Sequence, residues 1–167
     1  MKQAPQERPS ARGLRVLVLR AQFNSTVTSG LLAGALDALR EMGARARDVV
    51  VHDVPGAFEL PVVAQAAARA GRFDAVVALG AVVKGETDHY EHVARAAASG
   101  LAAVALETGV PVGFGVLTVR QARQAVRRSA PGRENKGAEA ARAAVATARA
   151  LAALGRRERA AGRRGPR

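Results

Sequence analysis

Short apolar runs alternate along this chain with longer segments whose apolar residues recur every three or four positions. Residues 14–19 (LRVLVL) form a run of strand type that stops at Arg20. Ser25 or Thr26 can cap the helix that follows, in which Leu31, Leu32, Ala35, Leu36 and Leu39 fall at helical spacing and Gly43 marks the end. Residues 49–54 predict a second, β-branched strand ended by Pro55 and Gly56, and residues 60–70 a helix with Pro61 in its first turn and Gly71 at its end. Residues 73–83 predict the third strand, 88–98 the third helix with Gly100 as terminator, and 101–106 a fourth strand. A short strand-like segment at 115–119 follows the break at Pro111, and two helices, 120–128 and 134–154, flank the linker between them.

Strands alternating with helices of this length give βαβ units and a parallel sheet covered on both faces. The expected fold class is therefore α/β, a three-layer α/β/α sandwich with a four-stranded parallel sheet, flavodoxin-like in layout. In such a sheet ligands bind outside the carboxyl ends of the strands, so chemistry is expected in the loops that follow them.

Composition changes this picture little. A chain of 167 residues, 49% apolar, suits one domain with a real core. Cysteine is absent, which excludes disulfides and thiolate metal sites. Residues 1–13 have no apolar run behind their charges, unlike a secretory signal. No apolar stretch reaches the roughly 18 residues of a membrane span, so a cytoplasmic protein is expected. The net charge of +12 is concentrated at the ends: residues 156–167 carry six Arg and one Glu, and residues 1–13 carry a net +2. Both segments are expected to be disordered tails around a domain at 14–155. No nucleic-acid-binding motif accompanies them, so solvated tails are favoured over specific nucleic-acid binding, although non-specific attraction to polyanions follows from charge alone.

Candidate chemistry gathers in the loops. Residues 80–90 (GAVVKGETDHY) join the end of the third strand to the start of a helix, whose unpaired N–H groups suit a phosphate. Gly85 permits close backbone approach, Thr87 adds a hydroxyl, and His89, three residues past Glu86, can move protons near neutral pH. His89 and His92 have i, i+3 spacing, but no third metal ligand is evident and His92 reads as a surface residue. Phe23, beside Asn24 after the first strand, either stacks on a planar ligand or caps the core beneath the first helix. Glu59, beside Ala57 and Phe58 after the second strand, is either a capping residue or an acceptor for a polyhydroxyl or amine. Arg128 and Lys136 are surface charges or the cations that a phosphate needs.

Taken in order, these segments resemble the lumazine synthase family. The resemblance rests on 20–24 (RAQFN), 54–61 (VPGAFELP), 80–90, 106–118 (LETGVPVGFGVLT) and 135–141 (NKGAEAA), and spans residues 14 to 155. It implies condensation of 5-amino-6-(D-ribitylamino)uracil with 3,4-dihydroxy-2-butanone 4-phosphate to give 6,7-dimethyl-8-ribityllumazine, phosphate and water, with no cofactor or metal. Matched by position, Phe23 stacks on the pyrimidine, the backbone around Ala57, Val82 and Val83 bonds its edge, and Glu59 holds the ribityl hydroxyls. Asn24, Phe58 and Ala81 complete that wall. Gly85, Glu86, Thr87 and Arg128 bind the butanone phosphate and His89 shuttles protons. Phe114, Arg128 and Lys136 are implied to come from a neighbouring subunit, which makes the partners two small molecules and further copies of the chain. Residues 130–134 (APGRE) replace the family's Gly-Thr-Lys-Ala-Gly type of linker at equal length, so a pentamer is expected and a 60-subunit shell stays open. Two other readings remain: a pentameric riboflavin synthase using two lumazine molecules, and a non-catalytic cage with an Arg-rich tail.

Overall fold

The first strand, β1 (Val16–Ala21), alternates its side chains between two apolar layers: Val16 and Val18 enter one, Leu17, Leu19 and Ala21 the other. A strand buried on both faces must be central, and β1 lies between β2 (Val49–Val54) and β3 (Ala75–Val83) in a sheet of order β2-β1-β3-β4, where β4 is Val112–Val119. All three pairings are parallel. Helices α1 (Ser25–Glu41), α4 (Ala122–Ser129) and α5 (Lys136–Gly162) cover one face; α2 (Leu60–Arg69) and α3 (His89–Thr108) cover the other. The computed structural model describes residues 9–162, with side chains through residue 155. The expected three-layer sandwich on a four-stranded parallel sheet is borne out.

Two elements differ from the sequence reading. Residues 101–106 are not a strand; they are the second half of α3, which passes straight through Gly100. Ala97, Leu101 and Val104 are buried at helical spacing, while Leu106 is 87% exposed. Gly100 is a packing notch rather than a terminator, since a side-chain carbon there would stand 2.7 Å from the Pro61 ring of α2. The helix stops instead at Gly109, in the left-handed conformation at φ 70°. The fourth strand is consequently β4, which begins at Val112 and contains Gly113 and Gly115. Gly113 lets α5 settle on the sheet, for a side chain there would collide with the Ala140 carbonyl.

The ends differ as well. Ala11 is fully buried, its N–H bonds the Met42 carbonyl, and Arg149 Nε donates to the Ser10 carbonyl at 2.7 Å, so the last residues of the expected N-terminal tail belong to the packed body. Helix α5 continues to Gly162, beyond the boundary expected at 155. Residues 1–8 and 163–167 of the expected tails lie outside the described residues.

Helices α1 and α5 meet with no room for a side chain at Gly137, which rests on the Leu31 carbonyl. Gly137→Val should cost about 3 kcal/mol, seen as a lower urea midpoint. Gly85→Ala, with nothing within 4 Å of the added carbon, should leave the midpoint within about 0.5 kcal/mol.

Candidate active site

β1 and β3 stay in register only from Val16↔Ala75 to Arg20↔Leu79, whereas β3 continues through Val83. The chain leaves β1 toward β2 in one direction and returns past it to β3 in the other, which is a topological switch point. Above it opens a cleft of about 620 Å³. Its walls come from three loops and from the first turns of α3. Val76 donates its N–H to the carbonyl of Pro111, just ahead of β4, and Lys84 donates to that of Val119, the last residue of β4, so the even-numbered backbone of β3 faces β4. The odd residues Ala81 and Val83 turn toward the side where β1 has ended. Asn24 crosses that gap. It is the one non-glycine described residue with positive φ (57°), and its Nδ2 donates to the Ala81 carbonyl at 2.8 Å. α1 starts at Ser25 with Asn24 as N-cap, and neither the Asn24 side chain nor that of Ser25 or Thr26 closes the helix end.

Phe23 stands 72% exposed and Phe58 61% exposed on the cleft walls. Phe23 therefore does not cap the core beneath the first helix. Glu59 is the N-cap residue of α2 but makes no capping hydrogen bond. Its carboxylate and the Phe23 ring converge on Gly56, where an added side-chain carbon would lie 3.1 Å from Glu59 Oε2 and 3.2 Å from the ring. Gly85 and Thr87 line the cleft just ahead of α3, and His89, the first residue of that helix, opens into it from an exposed position. Glu86 lies in the same loop, exposed and outside the lining.

Phe114, Arg128 and Lys136 are elsewhere. They share a second cleft, of about 400 Å³, beside the edge strand β4. Arg128 is anchored by its Nη1, which donates to the Gln124 carbonyl at 3.1 Å. Lys136 opens α5, where the helix dipole disfavours a cation, and Glu139 offsets this at 2.5 Å. The buried Asn135 holds both in place. Its Oδ1 accepts the N–H groups of Gly137 and Ala138, while its Nδ2 donates to the carbonyls of Gly30, Ser129 and Ala130.

Residues 13–152 match the model of the family described as 6,7-dimethyl-8-ribityllumazine synthase. The chain is also 42% identical over 144 residues to a protein of that description from Nitratidesulfovibrio vulgaris (strain DSM 19637 / Miyazaki F), covering 86% of this chain and 92% of the relative. The chain belongs to the 6,7-dimethyl-8-ribityllumazine synthase family. Membership makes it an enzyme of riboflavin biosynthesis, with a transferase type of reaction.

Of the residues that the lumazine synthase resemblance singles out, the first cleft gathers Phe23, Asn24, Ala57, Phe58, Glu59, Ala81, Val82, Val83, Gly85, Thr87 and His89. The sequence reading missed Tyr90, His92 and Val93 in that lining, and Arg120 and Gln124 in the second. His92 and Val93 follow His89 at i+3 and i+4, a spacing that already put them on its face of the helix. The Tyr90 phenol is held above its ordinary range, first by desolvation and then by its hydrogen bond to the Glu91 carboxylate. Among the described residues no group of three or more His, Asp or Glu side chains is arranged to hold a metal ion, and no helix is long and apolar enough to cross a membrane.

Arg20, which the motifs left without a role, ties the ends of β1 and β2 together. It grips Asp53, its register partner on β2, through Nε–Oδ1 at 2.8 Å and Nη2–Oδ2 at 2.5 Å. That contact holds the Asp53 carboxyl below its usual range. The pair's stabilisation is thus complete above the unfolded carboxyl range, about pH 4, and is lost as pH falls through the lower folded value. Because both side chains are partly exposed, Asp53→Asn should cost only about 0.5–1 kcal/mol at pH 7. Urea unfolding at pH 7 and near pH 2 should show that difference disappear in acid.

Proposed function

We propose that the chain performs the family's condensation of 5-amino-6-(D-ribitylamino)uracil with 3,4-dihydroxy-2-butanone 4-phosphate at a site that two protomers build together. One observation carries the shared site: among the described residues no Arg or Lys lines the first cleft, while Arg128 and Lys136 line the other cleft with an open Phe114. A phosphate dianion leaving in the reaction needs a cation nearby. The first cleft supplies aromatic surface, a carboxylate and a histidine; the second supplies positive charge and another aromatic face. The charge and the proton-transfer groups are thus divided between the two.

In this reading Phe23 lies against the pyrimidine, and the backbone of Ala57 and of Ala81 to Val83 meets its polar edge. Asn24 and Phe58 shape the wall, and Glu59 accepts hydrogen bonds from the ribityl hydroxyls. The phosphate rests at the N-terminal turn of α3 beside Gly85, Glu86 and Thr87, where free N–H groups and the helix dipole favour an anion. The ring amine adds to the ketone, and loss of water gives an imine. Phosphate then leaves, and the second nitrogen closes the ring with loss of water; no electrons are gained or lost overall. His89 alternates as base and acid in these transfers, which is worth about 100- to 10,000-fold. Holding two reactants in register supplies much of the rest, because the amine is already nucleophilic.

If every protomer gives its basic cleft to the next and receives one from the protomer before it, the interface is head-to-tail, the kind that forms a ring where the rotation closes. Five is the copy number that the resemblance implies. Val62 on α2 and Leu106 on α3, 63% and 87% exposed, are the kind of open apolar surface such a ring would cover.

His89→Ala should slow turnover by about 100-fold or more without abolishing it and should flatten the pH profile; an unchanged profile would remove His89 from the chemistry. Arg128→Ala should raise KM for the phosphate substrate far more than for the ribityl substrate. The shared site has its own test. Glu59→Ala/His89→Ala and Arg128→Ala/Lys136→Ala chains, each poorly active alone, should regain lumazine formation when co-assembled. Mixtures no better than their parts, with light scattering reporting monomer, would overturn it.

A further inference from the structure

The second cleft holds a third cation that the motifs do not account for. Arg120 follows the last residue of β4 and lines this cleft together with Arg128 and Lys136, and among the described residues no carboxylate lines it with them. The two arginines are fixed to one residue. Gln124 Oε1 accepts the Arg120 backbone N–H at 3.0 Å, while the Gln124 carbonyl accepts from Arg128 Nη1 at 3.1 Å. Among the described residues the Arg120 guanidinium itself makes no hydrogen bond or ion pair, whereas Lys136 is tied to Glu139. Three like charges facing one small space repel unless an anion joins them. A phosphate monoester offers three terminal oxygens, more than one planar Arg fork can hold.

We propose that Arg120 is a further phosphate-binding residue, acting with Arg128 to select the doubly charged phosphoryl group of the four-carbon substrate. This rests on the shared-site reading above. Arg120 meets the anion from the end of β4 and Arg128 from the end of α4.

The test compares Arg120→Gln and Arg120→Lys with Arg123→Gln, which removes the same charge from an exposed position of α4 outside the lining. Arg120→Gln should raise KM for the phosphate substrate about tenfold, with kcat within about twofold and KM for the ribityl substrate unchanged. Arg120→Lys should recover part of the loss, since it restores charge but not the fork. Arg123→Gln should behave as the parent. Calorimetric binding of inorganic phosphate should weaken in the same order. An unchanged KM in Arg120→Gln, or an equal rise in Arg123→Gln, overturns the assignment. Absence of lumazine from the parent enzyme would sink the reading beneath it instead, and phosphate binding by the same variants would still decide the role of Arg120.

Discussion

The offset between β1 and β3 is the constraint on which the candidate site depends. β1 leaves the sheet after Ala21, while β3 runs on to Val83, and the backbone left without a neighbour becomes the wall of the cleft. Such an edge is costly unless something meets its polar groups. Asn24 does so in part, at the price of a left-handed backbone, by bonding the Ala81 carbonyl. That contact fixes the loop carrying Phe23 relative to the strand leading to His89. The Arg20–Asp53 pair does the same between the first loop and the one carrying Glu59. Three loops distant in sequence are thereby held at one place before any ligand arrives, which is what preorganised catalysis requires.

The other half of the chemistry is positioned by close packing. Helices α1 and α5 approach until Gly137 touches the Leu31 carbonyl, and Gly34 on α1 lies against the Asn135 amide. Asn135 is 1% exposed and satisfies both of its polar ends, so the turn between α4 and α5 cannot swing. Arg128 and Lys136 flank that turn. Their separation is set by a buried hydrogen-bonded side chain and not by the linker sequence at 130–134.

Much of this was legible beforehand because it is local. The continuous apolar runs of β1 and β3 and the helix end at Gly43 follow from neighbouring residues. The loop motifs stood out because Phe, His, Glu and Gly are placed where strands end. Gly100 misled because a glycine after an apolar helix reads as a stop; whether it is a stop or a notch depends on Pro61, which is far away in sequence. Arg120 and Gln124 escaped notice for a similar reason. Arg120 is one among many arginines until the fold sets it beside Arg128.

By itself, then, the sequence determined most of the element types, the parallel α/β class, the family and most of the residues that line the first cleft, since each is encoded in short-range pattern. Tertiary structure decided where β1 gives way to β3, that residues 101–106 continue a helix, and that Glu59 and His89 occupy one cleft of the protomer and Arg128 and Lys136 another. Those outcomes depend on distances between segments remote along the chain. Such distances are set by which side chains and glycines let helices and strands approach, and no local pattern records them.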